Sequence, residues 1–242
     1  MNIRRVQTAK SSARRQAKGR NTSVRSHADK RRPKQARRSS MGERNAREPF
    51  APPEDWYESR GRKPDYRIVV QEPGEGYRHV LTPEQIRERL SRVPQHFLKD
   101  LEVIQLSKMT RKKQSFPCYG MQWGNTLYLY PIEESFTEQY DSPPRPNLVN
   151  ETLMYGATWK EDDETPGAWM LTWSEAAAQD FYLNNILIHE LGHLVDNRNT
   201  GYMERERYAE WFAVQHGYLA SGGRAARNYD RPKRRRHHAN SR

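Results

Sequence analysis

Two histidines four residues apart, His189 and His193, with Glu190 directly after the first, are the residues of this chain best suited to do chemistry. On a helix, a four-residue spacing returns to nearly the same face, so both imidazoles can reach one ion. Glu190 lies one step round the helix, beside that ion, where it can take a proton from water. A divalent ion lowers the pKa of a water that it binds, and a neighbouring carboxylate then accepts the proton. That is the logic of HExxH hydrolysis. The spacing therefore predicts a Zn2+ site that activates water for hydrolysis. Ile186-Leu187-Ile188 before the motif and Leu194-Val195 after it put the site on an apolar helix, and Gly192 leaves room for another segment to pack close.

Zinc of this type takes three protein ligands and keeps one position open. A metzincin continuation needs a glycine three residues after His193 and a ligand six residues after it. Asp196 and Asn199 stand there instead, which excludes that class. The next helix offers Glu204, Glu206 and Glu210, the last two one turn apart. Glu210 lies in Ala209-Glu210-Trp211-Phe212-Ala213, where a buried carboxylate without a partner would be costly. Glu206 is flanked by Arg205 and Arg207, as on a solvated face. Burial favours Glu210 as third ligand, with Glu206 the alternative. Asp196 is a candidate acceptor for the outer N–H of a ligand histidine, an interaction that fixes the tautomer.

His189-Glu190-Leu191-Gly192-His193-Leu194-Val195-Asp196, followed by Ala209-Glu210-Trp211-Phe212-Ala213, resembles the catalytic core of the anthrax lethal factor-like metallopeptidases, a gluzincin-type zinc fold. The likeness spans roughly residues 80–220, with the two motifs its specific part. It implies His189, His193 and Glu210 as ligands and Glu190 as base. It also implies a tyrosine that stabilises the oxyanion, for which Tyr202 and Tyr208 are the nearest matches, neither at the family's offset. An edge strand before the metal helix would pair with substrate, a role falling on Ala168, Trp169, Met170 and Leu171. A broader ExxAxxFA pattern, that of bacterial regulatory HExxH peptidases, selects Glu206 instead.

The elements that must position these residues are partly visible. Residues 67–71 and 101–106 form strands, as does 125–130 with its aromatic alternation. Thr82-Pro83-Glu84-Gln85 starts a helix with a capping box, and Ile86, Leu90 and Val93 follow at helical spacing. Pro94 ends that helix and opens a further turn. Residues 153–159 and 168–173 read as a hairpin pair joined by an acidic loop. From Ser174 the period changes from 2 to 3.6, giving one long helix over 175–195 and a second over about 204–219. The order predicts an α+β, zincin-like fold: a small mixed or antiparallel sheet packed on the HExxH helix and the glutamate-bearing helix after it.

Charge divides the chain. Residues 1–48 hold sixteen Lys and Arg against three acids, residues 224–242 eight against one, and the stretch between them is net acidic. Both tails lack a hydrophobic period and are expected to be disordered. Residues 49–80 are expected as a linker with the first strand, and 81–223 as the metallopeptidase domain. The tails suit nucleic acid or another polyanion, which supplies a second functional class: a regulatory or nucleic-acid-binding protein on a zincin-like scaffold. The single cysteine, Cys118, excludes an internal disulfide. With no apolar run long enough for a membrane span and no secretory signal, the expectation is a cytoplasmic protein whose other partner is a peptide or protein substrate.

Overall fold

A computed structural model describes residues 65–115 and 118–226, together with Pro53, Asp55, residues 57–59 and Gly61. The expectations for residues 1–48 and for 227–242 lie outside the described residues, whereas residues 224–226, expected in the disordered tail, belong to a short helix. In chain order the elements are β1 (Arg67–Val70), β2 (Tyr77–Arg78), α1 (Pro83–Ser91), a 3-10 turn (Gln95–Phe97), β3 (Val103–Leu106) and α2 (Arg111–Ser115). Next come β4 (Gly120–Trp123), β5 (Thr126–Leu129), β6 (Ile132–Glu133), β7 (Thr137–Tyr140), α3 (Pro146–Met154), β8 (Thr158–Glu161) and β9 (Trp169–Thr172). The last part is helical: α4 (Glu175–Phe181), a π segment (Tyr182–Ile186), α5 (Leu187–Val195), α6 (Tyr202–Phe212), a second π segment (Ala213–Leu219) and α7 (Gly223–Ala226). The class is α+β. Among the described residues, no helix is long and apolar enough to cross a membrane.

The strands form a four-stranded sheet in the order β1-β3-β5-β4, a two-stranded β2-β6 ribbon and a three-stranded sheet β7-β9-β8. β1, β3 and β5 run parallel, and β4 returns antiparallel on β5. The turn between β4 and β5 is Gly124-Asn125, with Gly124 at a φ of 57° that glycine adopts without steric cost. Side chains along β5 alternate as strand geometry requires. Leu127 and Leu129 enter the main core, while Tyr128 points to the opposite face with Met121 and Tyr130. The main core also takes Ile86 and Leu90 from α1, Leu171 from β9, and Leu187, Ile188 and Leu191 from α5. Full burial of each such side chain contributes roughly 1.5–3 kcal/mol.

Thr82 caps α1 as expected, with Gln85 closing the reciprocal box. Ser174 caps α4. Three expectations need correction. Leu153 and Met154 end a helix rather than begin a strand, because Pro146 at the first helical position starts α3, which buries Leu148 and Thr152 one turn apart. The hairpin strands are instead β8 and β9, and a third strand, β7, covers the other edge of β9. Its alternation is hidden in the sequence because one inward residue is Glu138, buried beneath the Tyr119 hydroxyl, which donates to its carboxylate at 2.8 and 3.1 Å. The third correction concerns the two long helices, which are continuous but each widen into a π segment.

Those π segments pack on each other. At the crossing, Gly217 lies so near the Asn184 carbonyl that a Cβ there would stand 1.8 Å from the oxygen. Backbone cannot yield as a flexible side chain can. Gly217→Ala is therefore expected to destabilise the fold by about 3 kcal/mol or more, the upper end for overpacking. Urea denaturation measures this, and an unchanged midpoint would contradict the crossing geometry.

Candidate metal centre

α5 carries His189 and His193 one turn apart, and α6 crosses α5 at Gly192. A Cβ on Gly192 would lie 3.0 Å from the Ala209 Cα and 3.1 Å from the Phe212 Cβ, so the missing side chain is what lets α6 come this near. Ala209, Phe212 and Ala213 form the buried face of α6 and its π extension. Glu206 sits at the edge of that face and points its carboxylate at both histidines. Its Oε2 is 3.6 Å from His189 Nε2 and its Oε1 is 3.6 Å from His193 Nε2. The two Nε2 atoms are 3.1 Å apart. Among the described residues, His189, His193 and Glu206 are the group able to hold a metal ion.

The donor set fits such an ion. Ligands about 2.0–2.1 Å from a tetrahedral centre stand about 3.3 Å from one another, close to the three separations seen here. Two imidazoles and one carboxylate are also the donor chemistry that suits a borderline divalent cation.

The preference for Glu210 is therefore corrected. Glu210 is exposed one turn beyond Glu206, and it lies outside the converging group. Its apolar neighbours bury themselves against α5 and turn Glu210 outward. The arginine beside Glu206, taken as a sign of solvation, has the opposite role. Arg205 Nη2 donates to the His193 carbonyl at 3.2 Å and to Gln122 Oε1 on β4 at 3.3 Å. It ties the start of α6 to the C-terminal end of α5, where a cation also suits the helix dipole.

Asp196 is likewise reassigned. It is buried at the C-cap of α5, and its carboxylate accepts from the Arg198 and Asn199 backbone N–H groups and from the Asn199 side-chain amide, at 3.0–3.2 Å. Burial works to raise its pKa, but these hydrogen bonds and the nearby Arg205 outweigh it and hold the carboxyl below its usual range. The side chain knots the loop between the helices and orients neither histidine. Tyr208 is two residues from Glu206 and so faces away from it. Its ring packs on Trp211 and Phe212 beneath the Arg198 guanidinium. Tyr202, 57% exposed, is one turn before Glu206 and shares its face. Trp169, Met170 and Leu171 belong to the central strand of the β7-β9-β8 sheet, with Ala168 just before it. Neighbours already hydrogen-bond both edges of that strand, so it has no free edge to offer a peptide.

Residues not singled out from the sequence also shape the centre. Gly120, on β4, lies against Glu190: a Cβ there would meet Glu190 Oε1 at 2.7 Å and Cγ at 2.8 Å. The Gly124-Asn125 turn after an alternating stretch was the available signal for that strand. Asn185, one turn before His189, donates its amide to Glu151 of α3 at 2.5 Å. Burial raises the pKa of Glu151 and Glu210 adds to the rise, against the Asn185 hydrogen bond and the pull of His189.

Burial opposes charge on His189, but Glu206, Glu190 and Glu151 together outweigh it and leave its pKa raised. His193 is pushed down to about 4, by burial first and by His189 next. The pair thus takes one proton readily and resists a second.

No protein-family model matches the chain, nor does any curated protein or solved structure.

Two outcomes follow for the protein in solution. Glu206→Gln is expected to weaken divalent-ion binding by more than about 100-fold, and Glu210→Gln to leave it near the wild-type value, as read by chelator competition. An ion must displace the proton on His189, whose pKa lies above the ordinary imidazole value. Apparent affinity should then fall about tenfold per pH unit once the pH drops below that raised pKa. An affinity that stays flat from neutral into mildly acidic solution would count against this assignment.

Proposed function

We propose that this protein is a zinc-dependent peptidase with a zincin-like active site, in which His189, His193 and Glu206 hold the metal and Glu190 is the general base. The observation that carries this reading is the convergence of those three donors beside a buried Glu190, on the helix whose sequence is His-Glu-Leu-Gly-His. The HExxH helix and the glutamate-bearing helix after it are the motifs on which the resemblance to the lethal factor-like metallopeptidases rests, with Glu206 in place of Glu210. Zinc, when bound, supplies Lewis acidity to a carbonyl oxygen and to water.

The remaining work belongs to the chain. Glu190 takes a proton from water as the water oxygen attacks the carbonyl carbon, and it delivers that proton to the amine nitrogen as the C–N bond breaks. Gly120 closes off one side of Glu190 and limits the carboxylate's swing. β4 is the outermost strand of its sheet and packs on α5. Among the described residues no strand pairs with its outer edge. An extended peptide added there would be held by main-chain hydrogen bonds and would run past Glu190. Tyr202, on the same face of α6 as Glu206, is the tyrosine we assign to donate to the developing oxyanion.

A second reading rests on charge. The sixteen Lys and Arg of residues 1–48 suit electrostatic capture of a polyanion, with affinity that falls steeply as salt rises. Removal of that segment should flatten the salt dependence of RNA or DNA binding, and an unchanged slope would dismiss the tail as the binding element.

Metal analysis of the purified protein should find one zinc per chain. Glu190→Gln should keep that zinc and lose cleavage of a peptide library by at least about 100-fold, the scale of general base catalysis. Gly120→Ala should act in the same direction by displacing Glu190. Zinc bound without any Glu190-dependent cleavage would remove the peptidase reading.

A further inference from the structure

Arg89 of α1 is 9% exposed, unusual burial for an arginine, and its guanidinium spans the two π segments. Nε donates to Asn184 Oδ1 at 2.6 Å, and Nη2 donates to the His216 carbonyl at 2.5 Å. Asn184 belongs to the π segment that leads into α5, and His216 to the one that continues α6. Asn184 is itself held from three sides. Its amide donates to Asp180 Oδ1 at 2.7 Å, its carbonyl accepts from the Tyr155 hydroxyl at 3.0 Å, and Gly217 abuts that carbonyl.

A π turn runs its hydrogen bonds from i to i+5, which shifts everything beyond it by a residue relative to an α-helix. His189 and His193 lie beyond the first π segment and Glu206 lies before the second, so where the three stand relative to one another depends on the two segments staying in register. A slip of one residue moves a ligand by about 1.5 Å. That is close to half of the 3.1 and 3.6 Å separations at the centre. Packing through Gly217 fixes the distance between the segments, but a contact at one point does not fix how they slide or turn. A planar, two-pronged donor that bonds both segments does.

We infer that Arg89 is a positioning residue for the metal centre: it locks the two ligand-bearing helices in register from the end remote from the ion. The inference rests on the assignment of His189, His193 and Glu206 as ligands. A cavity of about 270 Å3, walled by Arg89, Asn184, Leu183, Arg92 and Ser221, opens beside the guanidinium and gives a small solute access to it.

The test compares zinc affinity, by competition with a chromophoric chelator, with the Tm of the metal-free protein. Arg89→Met should weaken zinc binding about ten- to a hundredfold, the range for residues that orient ligands. Arg92→Met, in the same cavity wall but paired with Glu88 at the surface, should leave it unchanged. Adding Asn184→Ala to Arg89→Met should cost less than the sum of the two single changes, because they share the Arg89–Asn184 contact. Methylguanidinium should restore part of the affinity of Arg89→Ala. Should Arg89→Met fail to fold, Arg89→Lys carries the same comparison, since it keeps the charge and loses the fork. A lowered Tm with wild-type zinc affinity makes the guanidinium purely structural and overturns the inference. Wild-type protein that takes up no zinc is a different failure, seen before any variant is made, and it removes the metal assignment together with the role of Arg89.

Discussion

Everything at the candidate centre depends on how near α6 lies to α5. Three donor atoms from two helices come within 3.1 to 3.6 Å of one another, and only backbones in close contact allow that with side chains as short as His and Glu. Gly192 makes the contact possible. The Ala209 Cα and the Phe212 side chain occupy the space where any larger residue on α5 would project. A second glycine, Gly217, repeats the arrangement at the far end of the helix pair. The close packing is also what buries His189 and His193, and burial makes their electrostatics strong.

Burial by itself would keep the two histidines neutral. His193 follows that rule, while three carboxylates around His189 reverse it. This asymmetry suits a site that exchanges a proton for a divalent cation: negative charge is already gathered there, and the cost of gathering it is met by packing elsewhere in the core. Arg205 limits the excess, and it also bonds α6 to the end of α5 and to β4. One side chain thus links α6 to α5 and to β4, the strand proposed to receive substrate.

The proposal of β4 rather than β9 as the substrate strand has a topological reason. β9 precedes α5 in the chain, where the resemblance expects a substrate strand, but β7 and β8 occupy both its edges. β4 is more distant in sequence, yet it ends its sheet and packs on α5 through the contact between Gly120 and Glu190. Adjacency in sequence was a poor guide because a hairpin strand can acquire a third partner from anywhere in the chain.

Local physics made much of this protein legible in advance. The cap of α1, the change of period at Ser174, the strand at β9, the helix carrying His189, Glu190 and His193, and the need for small Gly192 all follow from rules that act within a few residues. The choice between Glu206 and Glu210 does not. Both are one turn apart on one helix, and the apolar residues around Glu210 argued for burial there. Which face of α6 meets α5 is decided by Ala209, Phe212 and Ala213 packing as a set, and that leaves Glu206 at the edge facing the histidines and Glu210 in solvent. The same holds for Glu138 beneath Tyr119, for Gly120 against Glu190 and for Arg89 across the π segments. Each joins residues far apart in the chain, and no local preference carries information about a partner that only the assembled fold brings near.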